Sequence, residues 1–239
     1  MRIAIVSDIH GNLTAFEAVL ADLTKAAPDL IFHGGDLAGG GSSPAEVVDR
    51  IRELGWQGVA GNADEMLWSP SALTAFADQS PGLQALFTAI EETAAATREA
   101  LGEERIAWLQ RLPRVQLHDR FALVHASPED LWRAPGSEAS DAELESVFSA
   151  LGRPIAVFAH IHRPFIRSVS EMVVINTGSV SLSYDGDPRA AYLLLDDWAP
   201  SIRRVEYDVD REVKALHARA FPHADWIEKD LRSASASIP

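Results

Sequence analysis

Six short apolar runs, at residues 3–6, 30–32, 123–124, 155–158, 173–175 and 192–195, are not broken by alternating polar positions. Strands buried on both faces have that pattern, whereas a strand with one wet face alternates. Between the first runs the period becomes helical. Leu13, Phe16, Leu20 and Leu23 share one helical face, and Asn12 stands just before it as an N-cap. Ser43-Pro44-Ala45-Glu46 combines a capping box with proline at the first helical position and opens a second helix carrying Val47, Val48, Ile51 and Leu54. Strand, helix, strand, helix, strand predicts a parallel sheet at the N-terminal end.

The texture changes at residues 66–102. Leu83, Leu86, Phe87, Ile90 and Ala94 form a helical stripe, with Pro70 and Pro81 as breaks before it, which predicts a helical insert after the third strand. A further helix is expected to end before Pro113, and another to start at Ser140, with Glu143 completing a second capping box. Beyond residue 155 the pattern predicts mostly strands and turns, with Asp185-Gly186-Asp187-Pro188 as a turn signal. The low-complexity run at 233–239 is expected to fray. No repeat or linker divides the chain, so the reading is one domain over residues 1–239 with an insert.

Composition narrows the chemistry. With 47% hydrophobic content over 239 residues, the chain can fill a core. A formal net charge of −14 argues against a general binder of duplex nucleic acid or of anionic membranes. Half of that charge lies in residues 64–104, where eight acids meet one base, Arg98. The absence of cysteine removes disulfides, thiolate nucleophiles and Cys-ligated zinc. The N-terminus enters a strand too soon for a signal peptide, and no apolar run approaches the roughly 20 residues of a membrane helix. A soluble, cytoplasmic protein with no membrane partner is expected.

Chemistry-bearing side chains gather just beyond the ends of the apolar runs, where open α/β sheets place ligands. The first run leads into Asp8-Ile9-His10-Gly11-Asn12, the second into Gly34-Gly35-Asp36, and the segment after the second helix into Gly61-Asn62-Ala63-Asp64. Two later runs end in His125 and in His160-Ile161-His162. Singly, each histidine or Gly-Asp pair reads as an ordinary loop residue. Jointly, two aspartates, an asparagine and four histidines exceed the needs of one tetrahedral ion and suit a pair of ions. Such a pair, typically about 3.5–4 Å apart, stabilises in-line phosphoryl displacement and supplies hydroxide near neutral pH. No Gly-x-Ser-x-Gly or Walker-type loop suggests another chemistry, since Gly39-Gly40-Gly41-Ser42-Ser43 lacks the lysine.

In order and type these motifs resemble those of the calcineurin-like metallophosphoesterases: Asp8-Ile9-His10, Gly35-Asp36, Gly61-Asn62-Ala63-Asp64, His125 and Ala159-His160-Ile161-His162. Asn176-Thr177-Gly178-Ser179-Val180 and Asp185-Gly186-Asp187-Pro188-Arg189-Ala190 look most like the small bacterial and archaeal phosphodiesterase branch. The resemblance implies an α/β fold, a four-layer αββα sandwich of two mixed sheets. It implies that Asp8, His10 and His162 hold one divalent ion, that Asn62, His125 and His160 hold the other, and that Asp36 bridges them. Manganese is the expected occupant, with iron, zinc, nickel or magnesium as alternatives. The implied nucleophile is a metal-bridging hydroxide, with Asn62 the catalytic-loop residue that carries over. Small phosphate esters, diesters ahead of monoesters, are the expected substrates. A non-catalytic scaffold that keeps the fold is the other reading, and a homodimer built on exposed apolar residues of the insert is a further expectation.

Two positions depart from the family pattern. Ala159 replaces a glycine. Ala63 stands where relatives carry the histidine that protonates the leaving group, which a methyl group cannot do; leaving groups that are already stable anions are the expected consequence. Asp64 would then only cap the next helix. Arg163 and Arg189 are candidates for phosphate contact, with surface ion pairs as their other reading. Asn12 is a substrate contact only by the resemblance. His33 is either a further site residue or packed in its strand, His118, His217 and His223 read as structural or surface residues, and the six tryptophans as core.

Overall fold

The computed structural model describes residues 1–79 and 81–239. The chain runs β1 (Arg2–Val6), α1 (Leu13–Ala26), β2 (Leu30–His33), α2 (Pro44–Leu54), β3 (Gln57–Gly58), α3 (Asn62–Trp68), α4 (Pro70–Ala77) and α5 (Gln84–Leu109). It continues β4 (Val115–Leu117), β5 (Phe121–Val124), α6 (Asp141–Phe148), β6 (Ile155–Phe158), β7 (Phe165–Val169), β8 (Met172–Asn176), β9 (Ala190–Asp196), β10 (Ala199–Val205), α7 (Val209–Ala218) and α8 (Ala224–Ser233).

Two five-stranded mixed sheets form, in the orders β10-β9-β1-β2-β3 and β4-β5-β6-β8-β7. In the first, β1, β2 and β3 are parallel, with Val6 opposite His33 and His33 opposite Gly58. In the second, β5, β6 and β8 are parallel, with Leu123 opposite Val157 and Val157 opposite Ile175. The antiparallel strands lie outside these two parallel groups, so within each sheet three parallel strands release the chain into loops at the same end.

Burial on both faces explains the unbroken apolar runs. Along β1, Ile3 and Ile5 enter the layer between the sheets with Phe32, Leu123, Val157 and Leu193. Ala4 and Val6 face the other way, into the helical layer with Phe16, Val19 and Val48. On the far side, Ala122, Val124, Ala156 and Phe158 pack on Leu144 and Phe148 of α6. The result is the four-layer α/β sandwich that the family resemblance implies. Each fully buried side chain of this size contributes about 1.5–3 kcal/mol relative to exposure.

Local signals differ in how they are used. Asn12 caps α1 by accepting the Ala15 amide at 2.9 Å. The capping box expected at Ser43 does not form: the Ser43 hydroxyl turns to Ser42 at 3.2 Å, and Glu46 is taken by Arg219, just beyond α7, at 2.9 Å. At α6, Ser140 accepts the Glu143 amide at 3.2 Å. The helices α7 and α8 correct the expectation of strands and turns after residue 155. Their shared core is small, Val213 and Leu216 against Ile227 and Leu231, and is flanked by charged positions. The run after Ser233, expected to fray, carries specific contacts: the Trp226 indole donates to the Ser237 carbonyl at 2.9 Å, and the Ser237 hydroxyl to Asp230 at 2.6 Å.

Glu212 ties α7 to the body. Only 1% exposed, it accepts the Ser42 amide at 2.9 Å and the Thr14 hydroxyl at 3.0 Å. Replacing it by alanine leaves a buried amide unpaired, a loss of about 1–3 kcal/mol. We expect Glu212→Ala to lower the melting temperature and Glu212→Gln to recover most of the loss; equal melting of wild type and Glu212→Ala would show that the loop is held by other contacts.

Candidate metal centre

Beyond the parallel strands the backbone is zipped loop to loop. Asp8 N donates to Gly35 O at 3.1 Å, His10 N to Asp36 O at 2.9 Å and Gly11 N to Leu37 O at 2.9 Å. This brings the loops after β1 and β2 side by side with their side chains facing one space. Five of those residues, Asp8, His10, Asp36, His160 and His162, adopt left-handed backbone with φ between 49° and 65°. Asp and His tolerate that region better than most residues, but each such position still costs on the order of 1–3 kcal/mol. Of the twelve non-glycine residues with left-handed backbone among the described residues, five are thus metal-competent side chains of the strand-end loops.

The seven metal-competent residues of the strand ends all converge, in two groups. In one, His10 Nε2 lies 3.2 Å from His162 Nε2, and His162 Nε2 lies 3.1 Å from Asp8 Oδ1. In the other, Asn62 Oδ1 lies 2.9 Å from His125 Nε2 and 2.8 Å from His160 Nδ1. Asp36 stands between them, its Oδ2 3.7 Å from His10 Nε2 and 3.4 Å from His125 Nε2.

Three imidazoles are oriented from behind. Nδ1 of His10, His125 and His162 faces the carbonyls of Gly39 at 2.6 Å, Gly34 at 2.8 Å and Leu182 at 2.5 Å. A carbonyl can only accept, so each Nδ1 carries a hydrogen and each ring turns its Nε2 inward, the arrangement by which ligating histidines are held. Burial pulls the His10 pKa down despite the neighbouring Asp36, and burial with the nearby His125 lowers His160 to about 4, which keeps both rings neutral. The Nε2 atoms of His10 and His162 meet across 3.2 Å beside a carboxylate, and both Asp8 oxygens are buried without a hydrogen-bond partner. Unpaired buried acceptors of this kind are costly unless a cation lies among them. Asp8, His10, Asp36 and His162 lie close enough to share one ion, and the donor set fits a divalent metal.

A layer beneath fixes Asp36. Its Oδ1 accepts the Ala63 amide at 2.8 Å. Asp64 does more than cap α3: it accepts the amides of Gly61 at 3.1 Å, Asp36 at 2.9 Å and Leu37 at 3.0 Å. Gly61 is required by proximity, since a Cβ there would sit 2.0 Å from Asp36 Oδ1. Ala63, 4% exposed, presents only a methyl group beside Asn62.

The remaining candidates do not reach the centre. Asn12 is spent on the α1 cap and on Ser181, to which its amide donates at 3.1 Å. Arg189 is held by Asp187, Nη2 to Oδ2 at 2.6 Å, and Arg163 is exposed; neither lines the cavity above the metal residues. His33 is fully buried with both ring nitrogens unpartnered, and burial holds its pKa at about 4. That cavity is bounded in part by residues the residue pattern did not single out, among them Tyr184, stacked on His162 at 4.7 Å, and Asp230, together with Trp132 and Trp226, which read as core. The helical stripe of α5 faces this cavity, and none of the large exposed apolar side chains among the described residues lies in 66–102, where a dimer face was expected.

Known proteins resemble this chain in sequence and in fold. The chain is 29% identical, over 252 aligned positions, to an uncharacterized protein of Methanocaldococcus jannaschii, covering 96% of both. It is 28% identical to a symmetrical bis(5'-nucleosyl)-tetraphosphatase of Pectobacterium carotovorum subsp. carotovorum, over all of this chain and 85% of that protein. The crystal structure of a metallophosphoesterase from Sphaerobacter thermophilus superposes with a TM-score of 0.79 at 26% identity, covering 98% of this chain and 99% of that one. With the model of the calcineurin-like phosphoesterase superfamily domain matching residues 1–197, the chain belongs to that superfamily of metal-dependent phosphoesterases.

Proposed function

We propose that the chain is a binuclear phosphoesterase hydrolysing small phosphodiesters, with monoesters as a second class, and that residues 1–239 form one domain with a helical insert at 66–102. The observation that supports this most directly is the facing pair of Nε2 atoms at 3.2 Å beside the unpartnered Asp8 carboxylate. Asp8, His10 and His162 would hold one ion, Asn62, His125 and His160 the other, and Asp36 both. The mixed oxygen and imidazole donors suit manganese, and also iron, zinc or nickel. When bound, the ions supply Lewis acidity and a water of lowered pKa.

The protein's own part is orientation. Carbonyls behind three rings fix the tautomers, Asp64 fixes the peptide that carries Asp36, and the Ala63 amide fixes the carboxylate. At Ala63 no proton is offered to a departing oxygen, so substrates whose leaving groups are stable anions are favoured.

Three outcomes test this reading. Asp36→Asn in protein reconstituted with manganese should lower hydrolysis of bis(p-nitrophenyl) phosphate more than about a hundredfold, beyond the 10–100-fold typical of a ligand's supporting partner; retention of activity at full metal content would overturn the shared role of Asp36. Introducing Ala63→His should make the rate fall less steeply with leaving-group pKa than in wild type, and equal slopes would remove the role assigned to the missing proton donor.

The third concerns pH. Burial works to lower the His125 pKa, but the Asp36 carboxylate 3.4 Å away outweighs it and raises it to about 9. In the metal-free protein that ion pair contributes stability fully below the unfolded histidine value of about 6.5, and the contribution is lost as pH rises through about 9. A cation must displace this proton, so manganese affinity should increase from pH 7 to 9 with proton release. Calorimetry in buffers of different ionisation enthalpy measures both; affinity independent of pH over that range would contradict the assignment.

A further inference from the structure

The cavity above the metal residues has a volume of about 390 Å³, near the small end of the roughly 300–1,000 Å³ of ligand pockets. His10, Asp36, Asn62, His160 and His162 form one wall. The rest of the lining includes Met66 and Leu73 with an aromatic group, Phe76, Phe87, Trp132 and Trp226. Phe76 meets Phe87 edge to face at 6.0 Å and lies 5.3 Å from Trp132, so the rings make one continuous surface.

Charge is distributed unevenly in this space. Among the described residues no lysine or arginine lines it. Its only charged side chain away from the metal wall is Asp230, 2% exposed and engaged by Ser237. Two nearby arginines are already committed: Arg98 donates to the Met66 carbonyl at 3.1 Å, and Arg133 lies over the Phe76 ring, bonded to Gln79. A phosphate at the metal wall would have ions as partners. A second phosphate, or any other anion on the organic side, would be stripped of water against apolar walls with a carboxylate as its nearest charge. An uncharged apolar group gains from the same burial.

We infer that the substrate is an ester of a single phosphate whose organic group is apolar and uncharged, aryl or compact alkyl, seated between α3, α4, α5 and α8. This rests on the phosphoesterase reading and adds the chemical class of what is cleaved. The acids of α5 do not contradict it, because Glu91, Glu92 and Glu99 are exposed.

Full-length, manganese-loaded protein is compared on two diesters sharing a p-nitrophenolate leaving group, p-nitrophenyl phenyl phosphate and the p-nitrophenyl ester of thymidine 5'-monophosphate. The phenyl ester should be favoured in kcat/KM by about tenfold or more, the discrimination that an added apolar group gives in a dry pocket, and the difference should lie in KM. Leu86→Lys, at a half-buried position of the lining, should erase that preference. A wild type that treats the two esters alike, or a preference untouched by Leu86→Lys, would overturn the inference. Quenching of tryptophan fluorescence by 1-naphthylphosphonate against adenosine diphosphate gives a readout independent of turnover. If neither ester is hydrolysed, the phosphoesterase reading fails; tighter binding of the naphthyl compound would then still support the apolar seat, and equal or weaker binding would overturn it as well.

Discussion

A buried concentration of carboxylate and imidazole side chains is the constraint around which this chain is arranged. His10 and His162 turn their Nε2 atoms toward each other 3.2 Å apart, and Asp8 lies beside them without a hydrogen bond. No apolar packing relieves that crowding. It persists because five residues are held in left-handed backbone by loops that hydrogen-bond to one another beyond the strands. The cost, on the order of 1–3 kcal/mol for each position, has to be offset elsewhere. The layer between the sheets and the helical layer on the outer face do so, each closing around fully buried aliphatic and aromatic side chains. A ligand that binds only the folded state would return stability in proportion to the logarithm of its concentration, which couples fold and site thermodynamically.

Much of this arrangement was legible in the residues, and the reasons are local. Strands buried on both faces leave unbroken apolar runs, and polar residues at their ends have nowhere to point except the space beyond the sheet, so Asp8, Asp36, Asn62, His125, His160 and His162 announce themselves. Features set by distant contacts were not legible. Ser43 and Glu46 have a capping-box spacing, yet Arg219, far along the chain, takes the glutamate. Trp132 and Trp226 looked like scattered core, because only the tertiary fold brings them to one cavity. The helices α7 and α8 were missed because their apolar stripes are three or four residues deep under charged surface. Arg189 is the opposite case: its partner Asp187 is two residues away, and the ion pair was foreseeable from the local sequence.

The acidity of the chain takes on a specific meaning in this geometry. Several arginines are committed to pairing: Arg105 grips Asp49 at 2.6 Å, Arg203 grips Asp22 at 2.9 Å, and Arg204 pairs with Asp185. The first two pairs join α5 to α2 and β10 to α1 and so position elements, and among the described residues no lysine or arginine lines the cavity. A site that must attract phosphate without side-chain cations has to take its positive charge from bound ions. The converging donors answer that need, and the apolar remainder of the cavity limits how much further negative charge it can accept.

The C-terminal helices complete the argument, because they lie beyond the residues 1–197 matched by the superfamily model. Glu212 on α7 holds the Ser42 amide, and so fixes the loop whose Gly39 carbonyl orients the His10 ring. Trp226 and Asp230 on α8 line the cavity, and Ser237 bonds back onto both residues. One helix therefore bears on the geometry of a metal-competent histidine and the other on the shape of the space in front of it. Metal chemistry and substrate fit are thus set by different parts of the molecule: the strand-end loops carry the donors, while α3 to α5 and α8 decide what can approach them.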